Sequence, residues 1–210
     1  MHAAVLSQYT FAANSLAATT QASGLTAGSI TNGGGLSVKQ SGFNLGGTGT
    51  PALGWSSGGS VPGSVSAALT SNQFFTFTLT PNAGQQINLT DITFYANIGS
   101  DVSLARSFEL QVTTNGTDYS PVGGATLTRD STGAGAQFSY SLASYTNITS
   151  QTRFRFVPYD TTITGAWSDG SWIRLDDITV NGTVSPIPEA SGIALTAVGL
   201  LGLATRRRRA

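Results

Sequence analysis

The sequence predicts an all-β protein, a β-sandwich of the jelly-roll type followed by a short C-terminal hydrophobic helix. Three observations carry that prediction. Apolar residues alternate with Thr, Ser and Asn at a period of two in one segment after another, as half-buried strands require. Glycine and Asn-Gly turns separate these segments, and nothing before Ser185 has the spacing of an amphipathic helix. Nine or ten short strands in that arrangement fit a sandwich.

The elements follow in order. Val5 to Ala12 reads as a first strand with Tyr9 and Phe11 facing inward, and Leu25 to Ile30 as a second, ended by Gly33-Gly34-Gly35. Residues 43 to 63 are dominated by glycine and serine around Trp55 and read as a long surface loop. Phe74 to Leu79 places Phe75, Phe77 and Leu79 on one face, Pro81 to Gly84 turns the chain, and Ile87 to Tyr95 continues it. Phe108 to Val112 alternates cleanly into Asn115-Gly116, the strongest short hairpin marker. Ala125 to Thr128, Phe138 to Leu142, Arg153 to Val157 and Trp172 to Val180 complete the set.

Composition narrows the function. Of ten basic residues four are Arg206 to Arg209, so the rest of the chain carries six Lys and Arg against ten Asp and Glu. A mildly acidic body with the single lysine Lys39 is unsuited to binding nucleic acid by charge. Charged residues make up 10% of the chain, which leaves a neutral, hydroxyl-rich surface. Cysteine is absent, and the one histidine, His2, precedes the first strand; thiol and Ser-His chemistry are thereby excluded from the body.

The tail has another character. Residues 187 to 191 form a Pro-containing polar lead, residues 190 to 205 a small-residue apolar segment, and Arg206, Arg207, Arg208 and Arg209 a basic block of the kind that stops a membrane segment on the cytoplasmic side. In that order the pieces resemble the PEP-CTERM sorting signal, with Pro188 and Glu189 matching the motif and Ala190 standing where a second proline is usual. The resemblance implies a transmembrane helix held transiently in the inner membrane, cleavage by an exosortase (an integral-membrane transpeptidase-like enzyme) and export to the outer envelope or matrix. It divides the chain into a sandwich, residues 1–184, and a sorting tail, residues 185–210. Met1 to Ser15 lacks the basic start and apolar core of a signal peptide, so the expected start of translation lies upstream.

The body also resembles galactose-binding-like jelly rolls and related carbohydrate-binding modules. The residues concerned are the closing strand Trp172 to Gly182 and the segment Thr113 to Val122. The resemblance implies binding of extracellular polysaccharide without catalysis. Trp55, Trp167, Tyr159 and Tyr119, in or beside predicted loops, are the candidates for stacking on sugar rings; each could equally plug an end of the core. Asp176 and Asp177 are adjacent on a strand, so one of them must approach the core or the sheet edge. A buried carboxylate needs a partner, either Arg174, Arg153 or Arg155 or a hard cation. The resemblance to carbohydrate-binding modules, in which a structural calcium often lies near the terminal strands, adds calcium as an alternative beside an ion pair or simple exposure at a strand end. Two other functions stay open: a secreted carbohydrate-active enzyme, which would need a converging pair among Asp101, Glu109, Asp118, Asp130, Asp160 and Asp169, and a purely structural matrix or surface subunit.

Overall fold

The computed structural model describes residues 4–40, 45, 52–56, 62–98, 106–127, 134–161 and 173–188. Six strands precede the one described α-helix: β1 (Ala4–Tyr9), β2 (Thr20–Gln21), β3 (Leu25–Ala27), β4 (Thr31–Asn32), β5 (Ser37–Gln40) and β6 (Leu53–Ser56). After α1 (Val65–Thr70) come β7 (Phe75–Pro81), β8 (Gln85–Ile98), β9 (Arg106–Thr113) and β10 (Ser120–Leu127). The last three are β11 (Ala136–Ser141), β12 (Thr152–Tyr159) and β13 (Ile173–Pro186).

These strands form two antiparallel sheets, the sandwich expected from the alternation. In the seven-stranded sheet the order is β11-β8-β13-β1-β2, with β6 on β13 and β5 on β6; the six-stranded sheet runs β10-β9-β12-β7-β3, with β4 also on β7. The closing strand β13 is central, paired with β8 along one side and with β1 and β6 along the other.

Phenylalanines between the layers fix the packing. Phe77 and Phe154, opposite each other on β7 and β12, stack with centroids 4.7 Å apart, and Phe75 and Phe156 stack at 4.8 Å. Phe94 of the other sheet meets Phe108 and Phe156 edge-on at 5.6 and 5.0 Å. Offset and edge-to-face contacts of this kind add to the gain from burying the rings. Tyr9 lies in the same core, and its hydroxyl donates to the Gly28 carbonyl.

Several boundaries differ from the sequence expectations. β1 stops at Tyr9; Phe11 has φ 57 yet is fully buried, so it enters the core from a left-handed corner instead of a strand. The segment expected as one strand at Leu25 to Ile30 contains only the three-residue β3, with Ile30 buried beyond it. Within residues 43 to 63 the chain forms β6, and Ser64 caps the unexpected α1 by accepting from the Ala67 N–H. A six-residue helix is too short to show a hydrophobic stripe, and tertiary packing stabilises it here. The expected C-terminal helix, with Glu189, Ala190 and Arg206 to Arg209, lies outside the described residues, as do Trp172 and Trp167.

Candidate functional site

The outward face of the six-stranded sheet gathers the most chemistry among the described residues. Strand alternation sends Phe154 and Phe156 of β12 inward and Arg153 and Arg155 outward, while β9 turns Glu109 and Gln111 outward. The β12–β9 register sets Arg155 opposite Gln111. Gln111 Oε1 accepts from Arg155 Nε at 2.9 Å and Nη2 at 2.5 Å, and Gln111 Nε2 donates to Glu109 Oε1 at 2.5 Å. The guanidinium carbon stands 3.6 Å from the centroid of Tyr119 and 5.5 Å from that of Phe74. Burial draws the Arg155 pKa below its ordinary value, while Tyr119 and Glu109 pull it the other way. The result is a planar cation clamped by an amide and flanked by two half-buried rings, an arrangement with little rotamer freedom left to lose.

Tyr119 is held there by its loop. Between β9 and β10, Asn115 Oδ1 accepts from the Thr117 and Asp118 N–H groups at 3.0 and 2.9 Å, and Gly116 takes φ +84. Ser150 pins the same loop through the Thr114 carbonyl. The Asn-Gly signal thus marks a hairpin, as expected, but one with a six-residue loop built around the asparagine side chain.

The structure brings only part of the predicted set together. Tyr159 occupies the end of β12, opposite Ser107, on the same outward face as Arg155. Strand rise places it about 13 Å further along. Trp55 lies on β6, paired with Ile173 in the other sheet, so its backbone does not share this face. Asp118 closes the Tyr119 loop by accepting from Asn115, Asp160 pairs with Arg106, and Asp101, Asp130 and Asp169 are outside the described residues. Sequence alone does not single out Gln111, Phe74 or the site role of Arg155. The Arg-Phe-Arg-Phe alternation shows that both arginines face outward, but only cross-strand register shows what they meet.

Asp176 and Asp177 depart from simple alternation. The β13–β8 register shifts between Asp176 and Thr179, and Asp177 has φ 46, a bulge that leaves both residues buried. Asp176 Oδ1 accepts from the Asp177 N–H at 2.9 Å and Oδ2 from the Leu45 N–H at 3.4 Å. Burial, then the neighbouring Asp177 charge, pushes the Asp176 carboxyl up to about 6 against the two N–H donors. Among the described residues no third His, Cys, Asp or Glu joins the pair.

A cleft of about 380 Å³ lies elsewhere, between Ala4, Leu6, Gly24, Gln85 and Val184, and its lining has neither an aromatic ring nor a charge. The sheet face is therefore the better candidate for polar ligands.

No protein-family model matches the chain, and no curated protein matches it in sequence. Among solved structures, the CBM22-1–CBM22-2 tandem domain of Paenibacillus barcinonensis Xyn10C aligns with 90% of this chain and 48% of its own, at 15% identity and a TM-score of 0.50. The likeness is one of fold. The single CBM22-1 xylan-binding domain of the same protein aligns over 86% of this chain and 95% of its own at 14% identity, with a TM-score of 0.47. The Clostridium thermocellum family 11 carbohydrate-binding module, solved with a β-1,3-1,4-mixed-linked tetrasaccharide, covers 84% and 96% at 10% identity and a TM-score of 0.41. The chain thus has a β-sandwich resembling carbohydrate-binding modules.

Proposed function

We propose that this chain is a non-catalytic polysaccharide-binding protein of the cell envelope or extracellular matrix. The observation that carries the reading is the Tyr119–Arg155 stack on the outward face of the six-stranded sheet, held by the buried Gln111 amide. The ring face turned away from Arg155 offers a sugar an apolar surface, and the guanidinium N–H groups not held by Gln111, with the Glu109 carboxylate, supply donors and acceptors for vicinal hydroxyls. The fold likeness to carbohydrate-binding modules supports the same direction. Because Glu109 offsets the nearby Arg155 charge and stacking is indifferent to ions, binding of a neutral glycan should change little with salt.

The test is retention of the full chain on gels containing xylan, mixed-linkage β-glucan or galactan, at low and high salt. Tyr119→Ala should weaken retention by about 1 kcal/mol, some fivefold, while the chain stays folded with its melting temperature lowered only slightly by loss of the ring stacked on Arg155. No retention on any glycan would favour a structural subunit, and released oligosaccharide would move the protein to the enzymes.

The proposal includes export through the tail, supported by the order of Pro188-Glu189, apolar segment and arginines in the sequence. Exosortase would then be the processing partner. Mass spectrometry of the mature protein should find its C-terminus between Pro188 and Ser191; an extracellular chain ending at Ala210 would overturn this part. A structural calcium on Asp176 and Asp177, completed by carbonyl oxygens, also belongs to the proposal. Melting with and without chelator tests it, since an ion bound only by the native state adds stability.

A further inference from the structure

Edge strands present unpaired N–H and C=O groups, and folded proteins commonly guard them by shortness, proline, charge or bulges. The edges here differ in how far they are guarded. At one side β2 is two residues long, and β3 and β4 have three and two. At the other side β10 contains Pro121 and a register shift between Pro121 and Gly123. β11 has none of these devices. It runs six residues, Ala-Gln-Phe-Ser-Tyr-Ser, without charge or proline, in unbroken register with β8 from Ala136 opposite Ala96 to Ser141 opposite Asp91. Among the described residues no strand pairs with its outer edge.

Its side chains are also complementary to themselves. Phe138 and Tyr140 face the core and remain partly exposed, while Gln137, Ser139 and Ser141 are exposed on the opposite face. A two-fold axis through Ser139 would set two such strands antiparallel. Phe138 would lie opposite Tyr140 of the second copy, Tyr140 opposite Phe138, and Gln137 opposite Ser141. An axis through Phe138 would instead face Ala136 with Tyr140 and leave Ser141 unmatched. Opposed aromatic pairs on one face and small polar pairs on the other are favourable cross-strand neighbours.

We infer that β11 is a homodimerisation edge, pairing antiparallel with β11 of a second copy about Ser139 so that two seven-stranded sheets become one continuous sheet. The interface is isologous, as a closed two-fold dimer requires. It uses the other layer of the sandwich from the Tyr119 platform, so a dimer would carry two copies of that platform.

The natural chain has no cysteine, which makes single-thiol variants unambiguous probes. In full-length Ser139→Cys the two thiols face each other directly across the axis, within reach of a disulfide. In Gln137→Cys they are staggered by four residues, about 13 Å. Mild oxidation should therefore convert Ser139→Cys to covalent dimer and leave Gln137→Cys largely uncrosslinked. Sedimentation of the natural chain should show a concentration-dependent dimer. Ser139→Lys, which opposes two ammonium groups at an exposed position, should make it monomeric, still folded, and with a melting temperature that no longer depends on protein concentration. A natural chain that sediments as monomer at all concentrations, equal crosslinking of the two cysteine variants, or a Ser139→Lys dimer would each overturn the inference.

Discussion

Truncating Asp160 to alanine should lower the unfolding free energy by about 3–5 kcal/mol, the cost of removing one partner from a buried ion pair. Arg106 and Asp160 are 1% and 3% exposed, and Arg106 Nη1 donates to Asp160 Oδ2. The pairing is a consequence of register: Ser107 on β9 lies opposite Tyr159 on β12, so the residues one step beyond meet at the end of the two strands. The Asp160 N–H is in turn bound by the Pro62 carbonyl, which ties this corner to the chain entering α1. Taking the carboxylate away leaves a buried guanidinium without its charge partner on Asp160, whereas replacing both members by apolar groups of similar volume relieves that penalty. Urea unfolding of Asp160→Ala should show the full loss, and Arg106→Met/Asp160→Leu should recover most of it. A loss below about 1 kcal/mol in the single variant would mean that the pair behaves as a surface one.

How much of this can be read from the chain depends on the range of the interaction. Phe75, Phe77 and Leu79 declare their strand and its buried face by alternation alone, and Asn115-Gly116 declares a hairpin, because both signals act within a few residues. Asp160 looks like any turn aspartate until the β9–β12 register places Arg106 beside it. The same is true of Gln111, an unremarkable strand glutamine whose role depends on Arg155, 44 positions away. Phe11 points inward as its alternation predicts, but through a left-handed corner that propensity would not assign to phenylalanine. Of the aromatic candidates, Tyr119 and Tyr159 stand out by their loop positions, and they share a face only because β12 is flanked by β9. The bulge at Asp177 likewise has no local signature: two adjacent aspartates predict opposite faces, and a register shift against β8 buries both.

That bulge leads to the last expected result. With chelator present, stability should rise as pH falls from about 7.5 to 5. The sign follows from Asp176, whose carboxyl lies at about 6 in the folded chain against 3.8 for the unperturbed group. Between those values the native state binds more protons than the unfolded one, so unfolding free energy decreases as pH increases through the window and levels off above it. A tenfold change in proton affinity is worth about 1.4 kcal/mol, which makes the whole effect about 3 kcal/mol at most. The cause is loss of water around a fully buried carboxylate, reinforced by Asp177 and only partly offset by the Leu45 and Asp177 N–H groups. The signal is easy to isolate, because the sequence has a single histidine, His2, which precedes β1. Urea midpoints measured between pH 5 and 8 should slope in the natural chain and be flat in Asp176→Asn, which cannot titrate. A slope that survives that substitution would assign the proton elsewhere. If calcium is supplied in place of chelator and occupies the two carboxylates, the direction reverses: protons compete with the ion, and stability falls on acidification. The pair of titrations thus separates an aspartate kept near neutrality by burial from one kept ionised by a cation.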